Sequence, residues 1–156
     1  MVMRRVKDDV REVVLKLGRK EILAVGLFGS MARGDFDERS DIDIFVITET
    51  ELPLSEQDEL YYIFSSELIP KLGRDVTILV YDMNGLKRVP SWQTLNLIKD
   101  ACFIYDRGGL KLLFKRILKE AAEHGIIYDE KEKVFRLEKV GRVVFSLGEK
   151  SKRSAP

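Results

Sequence analysis

Along the chain, Val6, Val10, Val13, Val14 and Leu17 recur at the three- and four-residue spacing of one helical face, and Gly18 follows as a stop. Ile22 to Phe28 is an unbroken apolar run of strand length, which suits a strand buried on both faces. Gly29 to Ser40 is rich in turn formers. Asp41 to Ile47 alternates polar and apolar residues, as a second strand does. Ser55, with Asp58 three residues later, marks a helix N-terminus. Leu60, Ile63, Phe64 and Leu68 supply that helix's buried face, and Pro70 is expected to end it. Asp75 to Tyr81 reads as a third strand. A short helix after Pro90, with Trp92, Leu95 and Ile98 turned to the core, leads to a strand from Ala101 to Tyr105.

After residue 107 the character of the chain changes. Leu110, Leu113, Phe114, Ile117, Leu118 and Ala121 form an amphipathic stripe. Gly125 suits the position just past a helix end. His124, the only histidine, sits where the helix dipole favours a cation, so capping explains it. Ile126 to Leu147 holds short β-branched and aromatic runs that suggest a hairpin. The tail from about 149 to 156 is polar and expected to fray. The pattern predicts one small α/β domain over residues 1–106 and a C-terminal extension of helix and short strands over 107–156.

Composition narrows the function classes. The 156 residues are 45% hydrophobic and 34% charged, enough for a real core in a soluble chain. With 27 basic and 26 acidic residues the net charge is +1, which gives no global drive toward nucleic acid. Lys115-Arg116 and the Lys150 to Arg153 cluster read as solvated faces. The lone Cys102 has no intramolecular partner, and a buried thiol in a reducing cytoplasm accounts for it. No apolar run approaches the ~20 residues of a membrane span, and the charged N-terminus is unlike a signal peptide.

Three features carry chemistry. Gly29-Ser30 follows the buried strand directly, and a Gly-Ser turn presents backbone N–H groups and a hydroxyl suited to phosphate oxygens. In Ser40-Asp41-Ile42-Asp43-Ile44-Phe45-Val46, alternate side chains share a strand face with Cα atoms roughly 6.6 Å apart. Asp41 and Asp43 therefore project together, opposite Ile42, Ile44 and Val46. Two such carboxylates repel unless a cation lies between them, and Mg²⁺ favours one or two carboxylates plus substrate phosphates. Asp75 opens the next strand. If that strand adjoins the second, three carboxylates can hold two metals ~3.5–4 Å apart, the spacing used for in-line displacement at phosphorus.

Gly29-Ser30, ten intervening residues and then Asp41-Ile42-Asp43-Ile44 resembles the signature of the nucleotidyltransferase superfamily that includes DNA polymerase β. The longer string, Gly-Ser-Met-Ala-Arg-Gly through Ser-Asp-Ile-Asp-Ile-Phe-Val, is similar to its minimal nucleotidyltransferase branch, and the resemblance spans roughly residues 20 to 106. It implies a small mixed β-sheet flanked by helices. It implies that Asp41 and Asp43 hold two Mg²⁺ ions, that Asp75 is the third metal-binding and catalytic carboxylate, and that Gly29 and Ser30 hold the β- and γ-phosphates. Arg33 matches a frequent arginine of the branch, with a surface salt bridge as its other reading. The implied reaction moves NMP, by default AMP from ATP, to an acceptor hydroxyl.

The core up to 106 is committed to nucleotide and metals, and fifty further residues hardly enclose a second small substrate, so a macromolecular acceptor is expected. A homodimer that supplies the missing wall stays open, as does a nucleic-acid acceptor. Members of the small branch often serve as the antitoxin to a helical HEPN-type toxin, which is the partner protein the resemblance suggests. The alternative reading is a non-catalytic nucleotide-binding or antitoxin module that acts by occluding its partner.

Overall fold

A computed structural model describes residues 2–87 and 92–137. The elements run α1 (Val2–Leu17), β1 (Ile22–Phe28), α2 (Gly29–Arg33), β2 (Ile42–Thr48), α3 (Leu54–Leu72), β3 (Val76–Asp82), α4 (Met83–Lys87), α5 (Trp92–Asp100), β4 (Cys102–Asp106), α6 (Leu110–Glu123), β5 (Ile126–Asp129) and β6 (Val134–Leu137). Pro90, the tail from 149 and the Lys150 to Arg153 cluster lie outside the described residues, as does the part of the expected hairpin beyond 137.

Four strands form one mixed sheet in the order β3-β2-β1-β4. β1 is antiparallel to both β2 and β4, while β2 and β3 are parallel, joined by the α3 crossover. The parity of β2 decides what lies on each face. Ile42, Ile44 and Val46 join a core with Val6, Val10, Val13 and Val14 of α1 and with Leu60, Phe64 and Leu68 of α3. Phe45 and Ile47 point the other way, into a second core with Leu95 and Ile98 of α5 and with Leu113, Phe114 and Ile117 of α6. Phe45 meets Phe103 edge-on at 5.1 Å and Phe114 at 5.7 Å. The helical stripe read from residue 110 onward thus covers the second face of the sheet. The β5–β6 hairpin follows it, with Tyr128 and Phe135 in edge contact.

β1 is buried on both faces as its apolar run predicts, and one of its residues has no side chain for a packing reason. A Cβ on Gly26 would stand 2.5 Å from the Cys102 carbonyl oxygen and from the Phe45 ring. Neither can retreat, since one is β4 backbone and the other is the centre of the aromatic cluster. Gly26→Ala is expected to destabilise the protein by about 1–3 kcal/mol, measurable by denaturant unfolding. A loss below about 0.5 kcal/mol, the size of an ordinary surface substitution, would show that the β1–β4 interface is looser than described.

Several expectations need correction. Helix α3 does not end at Pro70. The ring sits in its last turn, where only one backbone bond is sacrificed, and the helix stops at Gly73, whose N–H reaches Ile69 O at 2.8 Å in a left-handed cap (φ 66°). At its other end Ser55 marks the N-terminus to within one residue: the helix starts at Leu54 and Pro53 holds the cap position, its carbonyl accepting from Glu56 and Gln57 at 3.0 Å each. Trp92 is not a core residue; at 49% exposure it lies on the outer side of α5, whose buried residues are Thr94, Leu95, Leu97 and Ile98. Cys102 is only partly buried. His124 caps α6 as expected, its Nδ1 lying 2.8 Å from Glu120 O, and Gly125 follows with φ 83°. No helix among the described residues is long and apolar enough to cross a membrane.

Candidate active site

Gly29, Asp41, Asp43 and Asp75 meet at one end of the sheet, where β1 finishes and β2 and β3 start. Asp43 is the second residue of β2, paired with Phe28 of β1 on one side and Thr77 of β3 on the other. Asp75 stands one residue before β3, and its carbonyl accepts a 2.8 Å hydrogen bond from Ile42 N. Residues paired across a parallel sheet share a face and lie about 4.8 Å apart. The register therefore sets Asp43 beside Thr77 on the face opposite Ile42 and Val76, with Asp41 and Asp75 each one residue before its strand. Asp41 and Asp75 are exposed and Asp43 is half-buried.

Asp43 is held from two sides. The Thr77 hydroxyl donates a short hydrogen bond to its Oδ1. Its Oδ2 packs over Gly29, where an added Cβ would overlap the oxygen. Gly29 also has φ 71°, so both its backbone and its neighbour require glycine. The short helix α2 begins at this residue and is anchored by Met31, which is fully buried. The Ser30 carbonyl accepts from Gly34 N at 2.9 Å and Asp35 N at 3.2 Å, which closes the turn.

Arg33, read as a phosphate ligand or a surface ion pair, is engaged with acids. Its Nη1 donates to Asp100 Oδ2 at 2.8 Å and its Nε to Asp35 Oδ2 at 3.2 Å, tying α2 to the end of α5. The hydrogen bond with Asp100 is the main reason its guanidinium is held above its usual pKa, with Asp35 adding to it. The pair is half-exposed, so it contributes at most about 1 kcal/mol.

The acidic groups offer oxygen only: Asp43 on β2, Asp41 just before that strand, and Asp75 just before β3, across a single hydrogen bond of the sheet. That chemistry suits a hard cation such as Mg²⁺. The side chains as they stand are not gathered round a common point: among the described residues no three His, Cys, Asp or Glu groups are arranged to hold a metal.

Two residues of this site were not read from the sequence. Thr77 is two residues beyond Asp75, and strand parity alone places it on the acidic face. Arg74 offered no signal, because its partners lie 34 and 37 positions away: its Nη1 donates to Asp37 O at 2.7 Å and to Ser40 O at 3.0 Å.

Comparison with known proteins bears on the fold and the family. A candidate protein adenylyltransferase of Methanocaldococcus jannaschii is 31% identical over 64 residues, which are 41% of this chain and 61% of that protein. The chain thus spans about three-fifths of this curated relative. Among solved structures, a toxin–antitoxin complex with AMP-PNP matches with a TM-score of 0.52 at 20% identity, covering 76% of this chain and 91% of the other. A complex of a tri-AMPylated Shewanella oneidensis HEPN toxin with an MNT antitoxin matches with a TM-score of 0.51 at 18% identity, covering 78% and 87%. At those identities the likeness is one of fold. The family described as the nucleotidyltransferase domain matches residues 7–108, from the first helix through β4, and the chain belongs to it.

Proposed function

We propose that this protein transfers a nucleotide, AMP from ATP, to a hydroxyl of a macromolecular acceptor, and that the acceptor is a partner protein. The observation that carries the reading is the register of β2 and β3, which brings Asp41, Asp43 and Asp75 to one open sheet end beside the Gly29 turn. The relatives support the finer points: one is a candidate protein adenylyltransferase, and others are toxin–antitoxin assemblies holding an ATP analogue or an AMPylated toxin. An antitoxin role toward a HEPN-type toxin fits these relatives.

In this reading Asp41, Asp43 and Asp75 would hold Mg²⁺. Bound Mg²⁺ supplies a lowered pKa at the attacking hydroxyl and neutralises charge on the departing pyrophosphate. The acceptor oxygen bonds to the α-phosphorus as the α–β anhydride bond breaks, and Asp75 assists removal of the hydroxyl proton. Gly29 and Ser30 hold the β- and γ-phosphates at the start of α2. For Arg33 to join them it must exchange Asp100 for phosphate.

The test uses the full chain with α-labelled ATP, Mg²⁺ and lysate of its source cells, followed by separation of proteins, RNA and metabolites. A labelled protein band that is absent with Asp43→Asn is expected. Label confined to RNA or metabolites would refute the protein acceptor. Binding of ATP with no pyrophosphate release would point to occlusion without chemistry.

A further inference from the structure

Two side chains near Asp75 reach back toward the acidic pair, one to the loop that ends at Asp41 and the other to the carboxylate of Asp43. Arg74 acts on the main chain. Asp41 ends a loop that begins after Gly34 and has no strand partner of its own. One guanidinium nitrogen of Arg74 spends both its protons on that loop, at Asp37 O and Ser40 O, while the guanidinium carbon lies 5.4 Å from the centre of the Phe36 ring. The loop is curled to accept it. Asp37 N donates to Ser40 Oγ and Arg39 N to Asp37 Oδ1, both at 2.8 Å. The residue before Asp75 thereby fixes the residue before Asp41.

Thr77 acts on the side chain. It occupies the register position opposite Asp43 on a rigid strand, and its hydroxyl can donate one proton. That proton goes to Asp43 Oδ1, a charge-assisted bond that sets the carboxylate's torsion with Oδ2 over Gly29. A carboxylate offers about four lone-pair directions, so both oxygens keep acceptor capacity for a cation.

We infer that Arg74 and Thr77 are positioning residues: Arg74 fixes the main chain that presents Asp41, and Thr77 fixes the carboxylate of Asp43. Both act before any ion arrives. The inference rests on the acidic cluster being a metal site, as proposed above. Partners of this kind set ligand orientation, and losing one typically lowers metal affinity about tenfold or more.

The experiment compares wild type with Thr77→Val, Thr77→Ser, Arg74→Gln, Arg74→Lys and Asp43→Asn, each as the full chain. Mn²⁺ affinity is measured by calorimetry, and amide hydrogen exchange is followed without metal. Thr77→Val is expected to bind Mn²⁺ about tenfold more weakly with an unchanged melting temperature, and Thr77→Ser to restore binding. Arg74→Gln is expected to lose protection at the amides of Arg39, Ser40 and Ile42 and to bind Mn²⁺ more weakly. Arg74→Lys, lacking the planar fork, recovers only part of both. If Asp43→Asn binds Mn²⁺ as wild type does, or wild type binds none, the metal reading falls and takes this inference with it. If Asp43→Asn loses the ion while Thr77→Val and Arg74→Gln keep wild-type affinity, the inference alone is overturned.

Discussion

Asp43→Asn is expected to cut nucleotide transfer by about a thousandfold or more while leaving the metal-free protein as stable as wild type, or more so. The loss follows from removing a charged ligand from metal ions that stabilise the transition state by several kcal/mol, at about 1.4 kcal/mol per factor of ten. The stability result follows from like charge. Asp41 lies two residues from Asp43 in the chain, so an amide at position 43 lowers the local negative charge yet still accepts from Thr77 through its own oxygen. Saturating metal with ATP should then separate the two proteins. At a hundred times its dissociation constant a ligand stabilises by ~2.7 kcal/mol, a rise of about 5–10 °C at this chain length. The shift is expected in wild type and largely absent in the variant. Equal shifts on adding Mg²⁺ and ATP would remove Asp43 from the metal site.

Gly29→Ala is the second large effect, and Gly34→Ala is its matched control. Both glycines have left-handed backbone, with φ of 71° and 87°. Either alanine therefore costs about 1 kcal/mol for an unsuitable conformation. They differ in what a Cβ would meet. At 34 nothing lies within 4 Å, whereas at 29 the methyl would occupy the space of Asp43 Oδ2. Gly29→Ala must also turn the carboxylate away from its bond with Thr77 or push β1 from β2, for a total of about 2–4 kcal/mol and a severe loss of transfer. Gly34→Ala should lose the smaller amount and keep most activity. Removing the obstacle tests the cause: in an Asp43→Ala background, Gly29→Ala should cost no more than Gly34→Ala does. Equal destabilisation at 29 and 34 in the wild-type background would mean that the Gly29–Asp43 contact has no energetic consequence.

The parts of this site that were legible in the sequence are those governed by local periodicity. Alternation located β2 to within one residue, although the strand starts at Ile42 and leaves Asp41 just outside it, and the apolar run from Ile22 to Phe28 located β1 with both its ends correct. The adjacency of β2 and β3 was a condition of the three-carboxylate reading, and the pairing of Ile42 with Val76 meets it. What failed depended on contacts outside the window being read. Pro70 looks like a terminator until its last-turn position shows how little backbone bonding it removes. Trp92 looks like core by composition, but α5 is oriented by Leu95 and Ile98, which leaves it outside. Arg74 belongs to the same class, for its two acceptors are backbone atoms far away in sequence.

The strand order also has a consequence for how the protein is made. Residues 22–82 supply β1, β2 and β3, so a chain leaving the ribosome can pair the whole acidic end of the sheet first. The partner on the other side of β1 is not synthesised until residues 102–106, since Ala24 pairs with Asp106, and the helix that roofs Phe45 follows later still. Contacts of such long sequence separation close slowly. Refolding followed by pulsed hydrogen exchange should therefore protect the β2–β3 amides before those shared by β1 and β4. In the interval one face of the sheet is apolar and bare. Until α6 has been made the nascent protein has its chemistry laid out and its greasy side uncovered, which makes that interval its window of greatest exposure to aggregation.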